Sequence, residues 1–164
     1  MRIALYQPDI PGNTGTILRM AACFKVAVDV IGPAGFDMTD RRLRRSGMDY
    51  LDHVELTRHI DFASFDAWRV SQGLRLVLVT AHASASYIDH AFADNDVLLL
   101  GRESAGVPDT VHEKVEARIA IPIQPDLRSL NVAIAAAMVL GEALRQTGGF
   151  STRPGPMKAA PTEL

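Results

Sequence analysis

The run Val97-Leu98-Leu99-Leu100 constrains the fold more than any other stretch of the chain. It has no polar alternation, so as a strand it must be covered on both faces, which is the situation of a central strand in a parallel sheet. The run stops on Gly101, shows Arg102, Glu103 and Ser104, and turns on Gly106 and Pro108. Residues in that position leave the sheet at its carboxyl end, the edge where open α/β sheets bind ligands.

Other apolar runs share this design. Strands are expected at residues 3–6, 26–31, 74–80 and 117–121, with a weaker segment near 53–56. Helical spacing of Ile17, Leu18, Ala21, Ala22 and Cys23 marks a helix over residues 14–25, which Asn13 or Thr14 is placed to cap. Further helices are expected over about residues 61–72 and 130–146, the latter rich in alanine. Strands alternating with helices imply an α/β fold, a mostly parallel sheet with helices on both faces. A chain of 164 residues with 48% hydrophobic composition fills one such core. We therefore expect one domain over residues 1–146, followed by an aperiodic tail, 147–164, rich in proline and glycine and read as flexible.

Several classes of function are disfavoured by the same residues. With 17 basic and 19 acidic residues the formal charge is −2, so any nucleic acid must be held by a local patch. The lone Cys23 rules out an internal disulfide framework and a cysteine-rich zinc site, and sits where a core position is expected. The five histidines show no metal-ligand spacing, so no metal is expected. The amino-terminal apolar stretch is too short for a signal peptide, and no run approaches the roughly 20 apolar residues of a membrane span. A cytoplasmic, soluble protein that does not engage the membrane is the expectation.

Three strand-to-helix exits carry flexible, polar tips. The first, Pro11-Gly12-Asn13-Thr14-Gly15, offers helix N–H groups to an anion or a polar ligand, yet lacks the spacing of a dinucleotide or P-loop fingerprint; an ordinary tight turn is the alternative. Arg19 follows just over one helical turn later. In the second, Ser104 fails the G-x-S-x-G frame because Arg102 stands two residues before it, so Ser104 reads as a turn or ligand-contact residue; Glu103 is either a solvated turn carboxylate or a site residue. In the third, Ile121-Pro122 leads to Ser129-Leu130-Asn131, where Ser129 makes an ordinary helix cap and Asn131 has no such role. The cluster Arg41, Arg42, Arg44 and Arg45 is either a solvated helix face or a patch of guanidinium forks suited to phosphates.

Taken in order, these exits resemble the SPOUT, or α/β-knot, methyltransferases: Asn13-Thr-Gly15 with Arg19, then Gly101-Arg-Glu103-Ser-Ala-Gly106-Val-Pro108, then Ile121-Pro122 with Ser129-Leu-Asn131. The resemblance spans residues 2–146. The opening Leu-Tyr-Gln-Pro-Asp-Ile-Pro-Gly-Asn-Thr-Gly and the stretch Arg42-Leu-Arg-Arg-Ser-Gly-Met-Asp-Tyr50 look like the branch that methylates the ribose 2′-oxygen of the wobble nucleotide, position 34, a cytidine or modified uridine, in leucine tRNAs. That branch implies a carboxyl-half trefoil knot, a homodimer and S-adenosylmethionine as methyl donor. It places cofactor contacts at Val79, Thr80, Gly101, Ile121 and Ser129, catalytic roles at Arg19, Glu103 and Asn131, and tRNA contacts at Asn13 and the arginine cluster.

Relatives of this branch often read G-P-E-T where this chain has Gly101-Arg102-Glu103-Ser104. They often carry an aromatic residue where Gly141 stands here. A non-catalytic RNA- or nucleotide-binding module of the same fold, and an ordinary doubly wound nucleotide-binding domain, are the rival readings.

Overall fold

A computed structural model describes residues 1–37, 41, 43, 45 and 48–150. Six strands form one sheet in the order β3-β2-β1-β5-β4-β6, and every pairing is parallel. They are β1 (Arg2–Tyr6), β2 (Ala27–Ile31), β3 (Leu56–His59), β4 (Arg75–Val79), β5 (Asp96–Leu100) and β6 (Ala117–Ile119). The helices are α1 (Pro11–Phe24), α2 (Phe62–Ser71), the short α3 (Asp109–His112) and α4 (Val132–Thr147), with a 3₁₀ turn at Met48–His53.

All five residues of β5 are buried, Val97 to Leu100 as the unbroken apolar run requires and Asp96 with them. Register sets the two faces. Ile3 pairs with Val28 and Leu98, and Leu98 with Val77, so these side chains share one face with Leu5, Leu100 and Ile119. That face packs on Ile17, Leu18 and Ala21 of α1 and on Ala136, Val139, Leu140 and Ala143 of α4. The opposite face carries Ala4, Tyr6, Leu76, Leu78, Val97 and Leu99 against Phe65 of α2 and Val111 of α3. Burying each large side chain contributes about 1.5–3 kcal/mol, so the two layers hold the sheet from both sides.

Some boundaries differ from the sequence expectation. The weak segment near 53–56 resolves into the 3₁₀ turn and a separate edge strand, β3. Helix α1 starts at Pro11, whose fixed φ and missing N–H suit a first helical position. Its N-cap is Ile10, with no side-chain cap bond, so Asn13 and Thr14 lie inside the helix and do not cap it. Cys23 is exposed, not core, because the buried stripe of α1 runs through Thr14, Ile17, Leu18 and Ala21. Helix α4 extends to Thr147 with Gly148 as its left-handed cap, one residue past the expected end; the rest of the expected tail, 151–164, lies outside the described residues.

Buried carboxylates are paired. Asp29, fully buried within β2, accepts from Arg2 Nε at 2.8 Å and lies 2.9 Å from His59 Nε2, while the Arg2 guanidinium sits 5.0 Å from the centre of the Trp68 ring. Asp96 receives a two-pronged contact from Arg75, at 2.5 and 2.8 Å. Arg69 of α2 bonds Asp66, Glu116 and two backbone carbonyls, tying that helix to the segment before β6.

Breaking a buried pair strands the remaining charge, at a cost of about 3–5 kcal/mol. Asp29→Ala is therefore expected to lower the unfolding free energy in urea by that amount, whereas Arg145→Ala, which removes an exposed pair with Glu142, leaves the urea midpoint unchanged.

Candidate active site

Sequence order along the sheet reverses between β1 and β5, and the loops leaving these neighbouring strands lie side by side at the carboxyl edge. At the end of β1, Gln7 adopts a left-handed backbone (φ 43°), held by its amide bond to the Ile31 carbonyl at 2.8 Å and by its side-chain amide to the Gly32 carbonyl at 3.4 Å. This sharp exit carries Asp9 across to the loop after β5.

There the chain folds back on itself. Arg102 and Gly106 exchange two backbone hydrogen bonds, at 3.0 and 2.8 Å, and Gly106 has a φ of +65°. Gly101 lies directly against this turn: a Cβ on it would stand 2.7 Å from the Gly106 carbonyl carbon, closer than real Cβ contacts allow. The two glycines therefore do different work, one making the turn and the other making room for it.

The loops are joined by reciprocal bonds. Glu103 N donates to Asp9 Oδ1 and Asp9 N donates to Glu103 Oε2, both at 3.2 Å, and the Ser104 hydroxyl donates to Asp9 Oδ2. Asn13 Nδ2 donates to Glu103 Oε1 at 3.2 Å. Asn131 Nδ2 donates to Asn13 Oδ1 at 2.9 Å, so a continuous polar chain links all three motif exits. Burial, then the adjoining Asp9 side chain, pushes the Glu103 carboxyl above the ordinary range. Hydrogen bonding, first with the Glu103 side chain and also with the Ser104 hydroxyl, holds Asp9 down at about 2. Of the two carboxyls, Glu103 is the one pushed toward its neutral form.

Asn131 also overturns the capping expectation. Its Oδ1 accepts from the amides of Ala133 and Ile134 at 2.8 and 3.4 Å, making Asn131, not Ser129, the N-cap of α4. Ser129 lies in the irregular segment before the helix and does not cap it.

Beside this chain opens a cleft of about 540 Å³. Its walls include Val79, Thr80, Gly101, Ile121 and Ser129, the five residues expected around a cofactor, together with Glu103. Leu78, Leu100, Ile123 and Leu130 add apolar surface, and Arg102, His82, His112 and Arg128 add charged or titratable groups. The segment after β6 is tied down beside it: Ala120 N donates to the Ala85 carbonyl at 2.8 Å and Tyr87 N to the Ala120 carbonyl at 2.9 Å.

Other expected residues stand apart. Asn13 and Asn131 brace the cleft without lining it, and Arg19 lies on the exposed side of α1, its guanidinium 4.9 Å from the centre of the Tyr50 ring. Arg41 and Arg45 are exposed; Arg42 and Arg44 lie outside the described residues. Asp9 was missed as a site residue. Its signal was a carboxylate in the loop leaving β1, but its value depends on β5 lying next door. Among the described residues no group of three or more histidine, cysteine, aspartate or glutamate side chains is placed to hold a metal ion, and no helix is long and apolar enough to cross a membrane.

A parallel sheet with a cleft over the carboxyl ends of β4 and β5 and beside the segment after β6 is an α/β architecture whose loops, rather than its core, carry chemistry. Residues 1–141 match the SpoU rRNA methylase family. The chain is 58% identical over 149 residues, 91% of its length and 93% of the relative's, to a tRNA (cytidine(34)-2′-O)-methyltransferase of Beijerinckia indica. It is 37% identical over 150 residues, 90% of this chain and 94% of the relative, to the protein of that name from Escherichia coli K12.

Among solved structures, one described as giving insight into 2-OH methylation of C/U34 on tRNA superposes with a TM-score of 0.83 at 37% identity, covering 88% of this chain and 94% of the other. The SpoU methyltransferase AviRb from Streptomyces viridochromogenes, in complex with the cofactor AdoMet, superposes with a TM-score of 0.83 at 28% identity, covering 89% of this chain and 60% of that one. The chain belongs to the SpoU methylase family and is an enzyme of the methyltransferase type.

Because a side chain at Gly101 must displace backbone, Gly101→Ala is expected to destabilise the protein by about 1–3 kcal/mol. Hydrogen exchange at the Arg102 and Gly106 amides should accelerate selectively, since the bonds lost are theirs.

Proposed function

We propose that this protein transfers a methyl group from S-adenosylmethionine to the ribose 2′-oxygen of the wobble nucleotide, position 34, of leucine tRNAs, as a cytoplasmic homodimer. The observation that carries this reading is the convergence of the three motif exits on one cleft, through the Glu103–Asn13–Asn131 chain. The names of the relatives support position 34 of tRNA as the target.

The cleft fits the donor. Its volume suits a nucleoside-sized ligand, its apolar walls suit an adenine ring, and the tight turn from Gly101 to Gly106 places main-chain groups in its wall. Val79, Thr80, Gly101, Ile121 and Ser129 would hold it. When bound, S-adenosylmethionine supplies a methyl group on a sulfonium centre, a leaving group that needs no proton.

The difficult partner is the ribose hydroxyl, a weak nucleophile until it is aligned or loses its proton. Glu103 keeps the loop after β5 in register and carries a proton more readily than an ordinary carboxylate. Asn131 holds Asn13 and the start of α4 in place. Arg19 is assigned to the hydroxyl or its neighbouring phosphate, as a charged fork that orients the nucleotide. It lies six residues beyond Asn13, about 9 Å further along α1 and on a different side, which favours action on the cleft of the partner subunit.

Pairing of two subunits is supported by an apolar stripe on α4, where Ile134 is 53% and Met138 38% exposed one turn apart, and by exposed Ile10 and Phe24 at the ends of α1. Asn13, Arg41 and Arg45, with Arg42 and Arg44 of the same run, would meet the RNA. The knot belongs to the same reading: the tethered segment after β6 runs along the cleft before α4 returns to α1.

Purified protein incubated with S-adenosylmethionine and tRNA from a strain lacking the gene should yield a 2′-O-methylated nucleoside at position 34 by mass spectrometry. A methyl group on the base, or none, overturns the assignment. Arg19→Ala is expected to lower transfer by about 100-fold or more while binding S-adenosylhomocysteine as the parent does, by calorimetry. Ile134→Asp should shift the protein toward monomer in analytical ultracentrifugation.

A further inference from the structure

Arg102 stands in the wall of the cleft, and its side chain makes a long ion pair with Asp9 that leaves hydrogen-bonding capacity over. The turn around it is closed by backbone bonds to Gly106, which do not involve its side chain. Its guanidinium Nε is buried without a hydrogen-bond partner. The carboxylate it approaches, Asp9 Oδ2 at 3.8 Å, already accepts from the Ser104 hydroxyl, and the other Asp9 oxygen accepts from Glu103 N. A buried donor left unmet is costly, a cost removed when an acceptor arrives.

The surroundings suit an anion. Besides Arg102, the charged or titratable groups lining the cleft are His82, His112, Arg128 and Glu103. Burial disfavours the charge on Glu103, and the Asp9 carboxylate is already engaged by Ser104 and Glu103 N, so Arg102 and Arg128 are the cations that an incoming oxyanion meets. Asp9 lies beside the Arg102 guanidinium and limits its wandering, while 40% of the side chain remains exposed for a ligand.

We propose that Arg102 is an anion-binding residue of this cleft, its guanidinium receiving an oxyanion of the bound ligand. The proposal rests on the methyl-transfer reading, which offers two sources of that chemistry: the carboxylate at the amino-acid end of the methyl donor, and a phosphodiester of the RNA. Both accept the planar fork of an arginine.

The test compares the parent protein with Arg102→Gln in binding to S-adenosylhomocysteine, to 5′-methylthioadenosine, which lacks the carboxylate, and to tRNA across a salt series. If the carboxylate is the ligand, the variant binds S-adenosylhomocysteine about tenfold more weakly or worse, with 5′-methylthioadenosine unaffected. If the phosphodiester is the ligand, S-adenosylhomocysteine is unaffected, tRNA affinity falls about tenfold, and the salt slope is reduced by about one.

Equal binding of all three probes by parent and variant overturns the proposal. A parent that binds none of them removes the methyl-transfer reading itself, and the role of Arg102 with it. Should Arg102→Gln melt early, Arg102→Lys, which keeps the charge and loses the fork, is measured in the same way; binding of all three probes as in the parent overturns the two-pronged contact.

Discussion

Burial of β5 on both faces governs the arrangement of the rest of the molecule. Leu98 and Leu100 feed the layer under α1 and α4, while Val97 and Leu99 feed the layer under α2 and α3. A strand whose last four residues are all apolar must have a strand on each side and helices above and below, and β1 and β4 supply those strands. Because β1 and β5 are far apart in sequence but adjacent in the sheet, their exits are delivered to the same place. The reciprocal bonds between Asp9 and Glu103 are a consequence of that adjacency.

Charge is distributed differently at the two ends of the sheet. At the amino end, Arg75 and Asp96, the first residues of β4 and β5, form a two-pronged pair in which each charge is answered by its opposite. At the carboxyl end, two carboxyls are held close and one is pushed toward its neutral form, while an arginine keeps an unmet donor. The first arrangement stabilises folding and asks nothing of a ligand. The second has hydrogen-bonding capacity left over, as expected of a surface that completes itself by binding.

The strands were legible because their signal is local. Unbroken or nearly unbroken apolar runs located β1, β2, β4, β5 and β6 to within a residue or two, and the alternation of elements indicated the parallel sheet. Edge strand β3 was poorly visible, since Leu56-Thr-Arg-His59 has a single purely apolar residue and owes its form to pairing with β2. Caps were misread for a related reason. Asn13, Thr14, Ser129 and Asn131 all have side chains able to cap, and which of them does so depends on where the incoming chain bends, a bend fixed by packing rather than by the residue. Cys23 fits helical spacing yet faces outward, because spacing alone does not say where the buried stripe ends.

The cleft-lining set, Val79, Thr80, Gly101, Ile121 and Ser129, came from the family resemblance, while the residues by themselves indicated only that polar exits gather at one sheet edge. The role of Asp9, the orphaned Nε of Arg102 and the placement of Arg19 away from the cleft were not. By itself the sequence determined the layers, the parallel sheet and which loops could bear chemistry, because these follow from hydrophobic burial and short-range backbone preference. Only the tertiary structure decided which polar groups meet, since hydrogen bonds between residues about ninety positions apart depend on strand order, and strand order is a property of the whole packed sheet.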